Sequence, residues 1–109
     1  MKVQTFETKS GQKPIDDFIK EQDLRTRKKI AFLINLLERF GMHLGMPYSR
    51  KITDKFYELR VRGKVEIRII YTFKHRNAIL LNIFKKKQDK ISRREIETAN
   101  ARLTVLDQA

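Results

Sequence analysis

Between positions 56 and 91 the sequence sets charged residues in alternation with apolar ones. Glu58 and Arg60 flank Leu59, Glu66 and Arg68 flank Ile67, and Phe84 and Lys86 close a run of apolar residues before Lys87 and Lys90. Arginine keeps its charge and offers a planar two-donor fork to a phosphate, whereas lysine supplies a compact point charge. An aromatic ring beside them gives a base something to stack on. The set therefore suits phosphate contact with base stacking. Glu58, Glu66 and His75 add groups able to move a proton. Tyr71 sits among apolar residues and is expected in the core, while His75 falls in a turn and is expected in water. His43 is the weaker of the two histidines as a candidate.

To act together these side chains must share a face. Period-two hydrophobicity predicts three strands, over 56–61, 65–73 and 79–86, joined by short turns around Gly63 and around His75, Arg76 and Asn77. Pairing Tyr57, Leu59 and Val61 with Ile69, Ile67 and Val65 makes one face continuously apolar and leaves Arg62, Gly63 and Lys64 as the turn. Glu58 then lies across from Arg68, and Arg60 across from Glu66. With Ile79, Leu81 and Ile83 on the apolar face, the other collects Glu58, Arg60, Glu66, Arg68, Asn82, Phe84 and Lys86.

Two readings of that face remain open on the residues alone. Its charges form cross-strand ion pairs in water, each contributing about 0.2–1 kcal/mol. Alternatively, helices cover only the apolar face, and the charged face is an open groove rimmed by Lys51, Lys55, Lys85, Lys87 and Lys90. Such a groove would be an electropositive cleft of a size to hold single-stranded RNA.

The helices are legible at both ends of the chain. A short strand over 3–6 precedes a helix opened by Pro14, with Ile15, Phe18 and Ile19 on one side. Asp23 is placed to cap a longer helix in which Ile30, Leu33, Ile34, Leu37 and Phe40 recur at helical spacing up to Gly41. Residues 41–55 read as a loop. Ser92 and Glu95 have the spacing of a capping box before Ile96, Ala99, Leu103 and Leu106. The expectation is a single domain over 1–109 of the α+β class. It comprises an N-terminal helical hairpin packed on a small antiparallel β-meander, with a C-terminal helix.

Charge narrows the partner. The chain carries 25 Lys+Arg against 13 Asp+Glu, a net +12, and residues 51–91 hold 12 of the bases but only 4 of the acids. That concentration calls for a polyanion. There are no cysteines and only two histidines, which excludes thiol catalysis and a Cys/His zinc site. No metal and no small-molecule cofactor is expected. No apolar run of membrane-spanning length and no signal-peptide layout is present, so a reducing cytoplasm is expected and a membrane partner is not.

The segments Phe56-Tyr57-Glu58-Leu59-Arg60-Val61, Arg68-Ile69-Ile70-Tyr71, Ile79 to Phe84 with Lys85-Lys86-Lys87, and Glu95-Ile96 with Ala99 resemble, in order and spacing, the phage-derived HigB-like branch of the RelE/ParE toxin superfamily. The resemblance implies the toxin of a type II toxin–antitoxin pair, a translation inhibitor that cleaves mRNA on the ribosome and is neutralised by a cognate antitoxin. It implies metal-independent attack of a ribose 2′-hydroxyl on the neighbouring phosphate. Arg60, Arg68 and Lys86 would be catalytic, and Lys51, Lys55, Phe84, Lys85, Lys87 and Lys90 would bind RNA. Glu58, Glu66 and His75 would be the candidate acids or bases. The C-terminal helix lacks the tyrosine that some RelE-like toxins use. Two alternatives share the fold: a ParE-like DNA gyrase inhibitor without catalytic groups, and a nucleic-acid-binding protein without activity.

Overall fold

A computed structural model describes residues 1–108, and across them the chain is α+β, with a five-stranded mixed sheet and three α-helices. Strand β1 (Lys2–Thr5) comes first, followed by helices α1 (Pro14–Lys20) and α2 (Leu24–Phe40). Strands β2 (Ser49–Lys51), β3 (Tyr57–Val61), β4 (Ile67–Lys74) and β5 (Asn77–Lys85) precede helix α3 (Arg93–Asp107). The sheet order is β1-β5-β4-β3-β2, with β1 parallel to β5 and the remaining pairs antiparallel. The expected three-stranded meander is thus the centre of a larger sheet. Its added edges are β1 and the short β2, which lies within the stretch read as loop.

Local chemistry accounts for the helix limits. The Asp23 carboxylate accepts the Thr26 amide at 2.8 Å, and Gly41, at φ 52°, ends α2 in a conformation that disfavours side chains. At the start of α3 the Ser92 hydroxyl accepts the Glu95 amide. No helix among the described residues is long and apolar enough to cross a membrane.

The sheet is buried on both faces. Helices α1 and α2 pack Ile15, Ile30, Leu33 and Leu37 against Leu59, Val61, Ile67, Ile69, Tyr71 and Leu80. Helix α3 packs Ala99, Ile96 and Leu103 against Phe6, Phe56, Ile70, Ile79 and Leu81 on the opposite side. This second layer corrects the expectation that the charged face lies open, and the cause is a bulge. Ile70 pairs with Asn82 and Tyr71 with Leu80, so Leu81 is the extra residue. The bulge reverses the alternation of β5. Ile83 stays beneath the helical hairpin, whereas Ile79 and Leu81 turn to the other face and give α3 an apolar surface. Arg102 of α3 donates to the Leu81 carbonyl at 2.7 Å, where the ladder is interrupted.

The first hairpin also differs in register. Tyr57 pairs with Tyr71, Leu59 with Ile69 and Val61 with Ile67, a slip of two residues that preserves the faces but changes every partner. The connection is correspondingly longer, running from Arg62 to Glu66. Arg60 therefore faces Arg68 rather than Glu66, and Glu58 faces Ile70 rather than Arg68.

Candidate nucleic-acid interface

The register places two arginines side by side, and a buried carboxylate makes that arrangement tolerable. Glu58 Oε1 lies 3.1 Å from the Arg50 guanidinium and 4.0 Å from Arg60 Nε, and Oε2 lies 3.8 Å from Arg68 Nε. Arg68 also donates to Glu66 Oε1 at 3.1 Å and to its neighbour's carbonyl, that of Ile67, at 3.1 Å. The side chains of Arg68 and Glu58 are 1% and 2% exposed, and that of Arg60 is 12% exposed. Among the described residues, Arg60 Nε and Arg68 Nε find no hydrogen-bond partner. Burial, then repulsion from Arg62 and Arg68, holds the Arg60 guanidinium below its ordinary pKa. Burial alone would raise the Glu66 carboxyl, but the Arg68 and Gly63 donors and the charges of Arg68 and Arg62 outweigh it and hold it below the usual carboxylate value.

Beyond Leu80 no described strand flanks the outer side of β5, because β1 pairs only with Asn77–Leu80. A cleft of about 510 Å³ opens there between α1 and the N-terminus of α3. Lys85, Lys86, Lys87, Lys90 and Arg94 bring five cations to it, Phe84 lines its wall, and Glu95 is the one carboxylate among its described lining residues. Phe84 pairs across the sheet with Arg68, and the Lys86 amide donates to the Glu66 carbonyl at 2.8 Å. The cleft and the buried arginine cluster are therefore neighbours through β4 and β5.

The residues singled out from the sequence divide into groups. Phe84, Lys85, Lys86, Lys87 and Lys90 meet in this cleft. Arg60, Arg68, Glu58 and Glu66 form the cluster beside it. Lys51 lies apart from both. With Arg50 and Ile52 it lines a smaller cleft of about 310 Å³, which shares Lys90 and Ile91 with the first. Lys55 lines neither cleft, and its ammonium stands 5.7 Å from the Phe56 ring centroid. His75 is exposed in the turn beyond the last residue of β4, about 23 Å along the strand direction from Arg68 at about 3.3 Å per residue. Tyr71 is buried beneath the helical hairpin, bonded to the Ser49 hydroxyl, and burial raises its pKa.

Two participants escaped the sequence reading. Arg50 escapes because β2 is only three residues long and lies in a stretch of loop-like composition. Arg94 escaped although the Ser92 capping signature was recognised, because the signature marks where α3 begins and not that its first turn closes on Lys85–Lys87.

No curated protein matches the chain. A protein-family model does, over residues 17–104, which takes in both helical layers, four of the five strands and every residue of the cluster and the cleft. The matched family is phage-derived and toxin-like, in agreement with the coarse form of the motif resemblance. The chain belongs to the phage-derived Gp49-like protein family (DUF891).

Proposed function

We propose that this chain is the toxin of a type II toxin–antitoxin pair and acts, as a single domain over 1–109 in the cytoplasm, as a ribosome-dependent, metal-independent mRNA endonuclease. The observation that carries the reading is the cleft of five cations and an aromatic wall set against two under-bonded arginines. Its assignment to the HigB-like branch rests on the motif order.

In this reading Lys85, Lys87, Lys90 and Arg94 hold the RNA backbone and Phe84 stacks on a base. Lys86 stands between backbone and cluster. The Glu66 carboxylate occupies Arg68 where a phosphate would, and an incoming phosphate displaces it, since Glu66 is 36% exposed and Arg68 is not. Arg68 and Arg60 then stabilise the charge that develops as the 2′-hydroxyl attacks. A carboxylate, Glu58 or Glu66, takes the hydroxyl proton, and Lys86 meets the leaving 5′-oxygen. His75, at the far end of the sheet, has no part in this arrangement.

Brief induction in bacteria, with pulse labelling of protein and DNA and mapping of mRNA 5′ ends, tests the function. Protein synthesis is expected to stop first, with new 5′ ends inside coding regions. Arrest of DNA synthesis while translation continues would instead establish the gyrase-inhibitor reading.

A further inference from the structure

A second concavity, of about 480 Å³, lies on the other side of Arg60, between α2 and the end of β3. Its floor is apolar, made by Phe32, Leu33, Pro47, Tyr48 and Val61. Phe32 is 56% exposed and Tyr48 40%, large aromatic surfaces left in water. Around this floor stand Arg25, Lys28, Lys29, Arg60 and Arg62, with no carboxylate in the lining. Among the described residues, Arg25, Lys28, Lys29 and Arg62 make no ion pair at all. Arg60 closes the inner end with an Nε that has no hydrogen-bond partner and a terminal nitrogen resting 3.4 Å from Met46 sulfur.

An apolar floor ringed by five cations, four of them without an ion pair among the described residues, is complementary to an apolar stripe flanked by carboxylates. The backbone here is already engaged, since the Arg60 amide donates to the Tyr48 carbonyl at 2.8 Å. An added strand would find no free ladder at Arg60, and side chains must do the holding, as in helix-in-groove recognition. A second copy of this chain is a poor occupant, because it would bring further cations against these five. RNA could stack bases on Phe32 and Tyr48, but Leu33, Pro47 and Val61 make the rest of the floor aliphatic, a surface that suits apolar side chains better than planar bases. We propose that the groove is the docking site for an acidic amphipathic helical segment of the neutralising partner, with apolar side chains seated on Phe32 and Tyr48 and a carboxylate on Arg60. This proposal rests on the toxin reading. It adds that the partner reaches a cluster arginine from outside the RNA cleft, so neutralisation does not require that cleft to be filled.

The test is a display selection of random segments of about 20 residues, long enough for the i, i+3, i+4 and i+7 anchors of a groove-bound helix, on the full chain made by cell-free synthesis. Winners are expected to be net acidic with apolar residues at those spacings. Their affinity should fall about ten-fold or more with Phe32→Ala and with Lys28→Glu, and stay unchanged when Lys85, Lys86 and Lys87 are all alanine. Both single positions are exposed, so melting curves should stay near wild type and loss of binding will not reflect unfolding. The proposal is overturned if no segment is selected, if winners depend on Lys85–Lys87, if neutral segments bind as well, or if single-stranded RNA crosslinks to Tyr48. Pulse labelling of Phe32→Ala separates the two readings. Persistent translation arrest with unchanged segment binding sinks only the groove, whereas groove binding by a chain that leaves translation untouched sinks only the toxin.

Discussion

Arg60 and Arg68 are direct cross-strand partners, so two guanidinium groups share one pairing site with the Glu58 carboxylate within 4.0 Å of each Nε. Like charges directly opposite destabilise a sheet. The arrangement persists because Glu58 and Glu66 flank Arg68 and Arg50 completes Glu58. A surplus of buried positive charge with unused donors is a poor device for stability and a suitable one for receiving an anion.

Removing Arg68 should therefore affect stability and activity separately. Arg68→Met leaves Glu58 buried with fewer partners and should cost about 3 kcal/mol, the lower end for breaking a buried pair because Arg50 and Arg60 remain. Adding Glu58→Gln removes the orphaned charge and should recover part of that loss in a thermal melt. Cleavage should fall by about 10²–10³ in both variants, and Arg68→Lys should restore it only in part. A double variant that regains stability and still cuts RNA would leave Arg68 a purely structural residue.

Lysines 85–87 should together set affinity for RNA, whatever Lys86 adds at the leaving 5′-oxygen. Binding to single-stranded RNA should weaken with salt at a slope of about −0.7 per phosphate contact, so replacing all three by alanine should flatten the slope by about two. The measurement is a titration at several salt concentrations. An unchanged slope would place the RNA elsewhere than the cleft at the end of β5.

Much of this architecture is readable in the residues, and the failures have a common physical origin. Periodicity and caps locate all three helices, because Asp23, Gly41 and Ser92 act locally. Strand faces are equally local, which is why Glu58, Arg60, Arg68 and Phe84 share a face as expected. Register is not local. Sliding β3 by two against β4 keeps every residue on its face, so hydrophobic pattern cannot distinguish Arg60 opposite Arg68 from Arg60 opposite Glu66. The bulge at Leu81 is likewise a packing decision. Ile79, Leu81 and Ile83 suggest unbroken alternation, and only the apolar stripe of α3 supplies a reason to turn two of them over.

Glu66 should affect stability and RNA binding in opposite directions. Its folded-state pKa is depressed, so its stabilisation is fully present above the ordinary value near 4.5 and is lost as pH falls through the lower folded value. Glu66→Gln should melt slightly below wild type at neutral pH, and the two curves should converge in acid. The gap will be small and salt-sensitive, because the carboxylate is partly exposed. If Glu66 holds the phosphate's place on Arg68, the same variant should bind single-stranded RNA more tightly. Weaker binding would show that Glu66 assists the RNA rather than competing with it.

The β4–β5 turn offers a test of His75, the candidate proton-transfer group that the fold sets apart. Lys74 pairs with Asn77, so His75 and Arg76 alone make the loop, at φ 52° and 65°. Two consecutive left-handed residues define the tight hairpin that favours Asn-Gly, and each ordinary side chain held there costs about 1–2 kcal/mol. Replacing His75 by Asn and Arg76 by Gly should raise the melting temperature by several degrees, at about 4–8 °C per kcal/mol for a domain near this size. Because the turn is remote from Arg68 and from the cleft of Lys85–Lys87, cleavage should be unaffected and its pH profile unmoved. A more stable variant that no longer cuts RNA would return His75 to the list of proton-transfer groups, and would require RNA to reach across the whole length of β4.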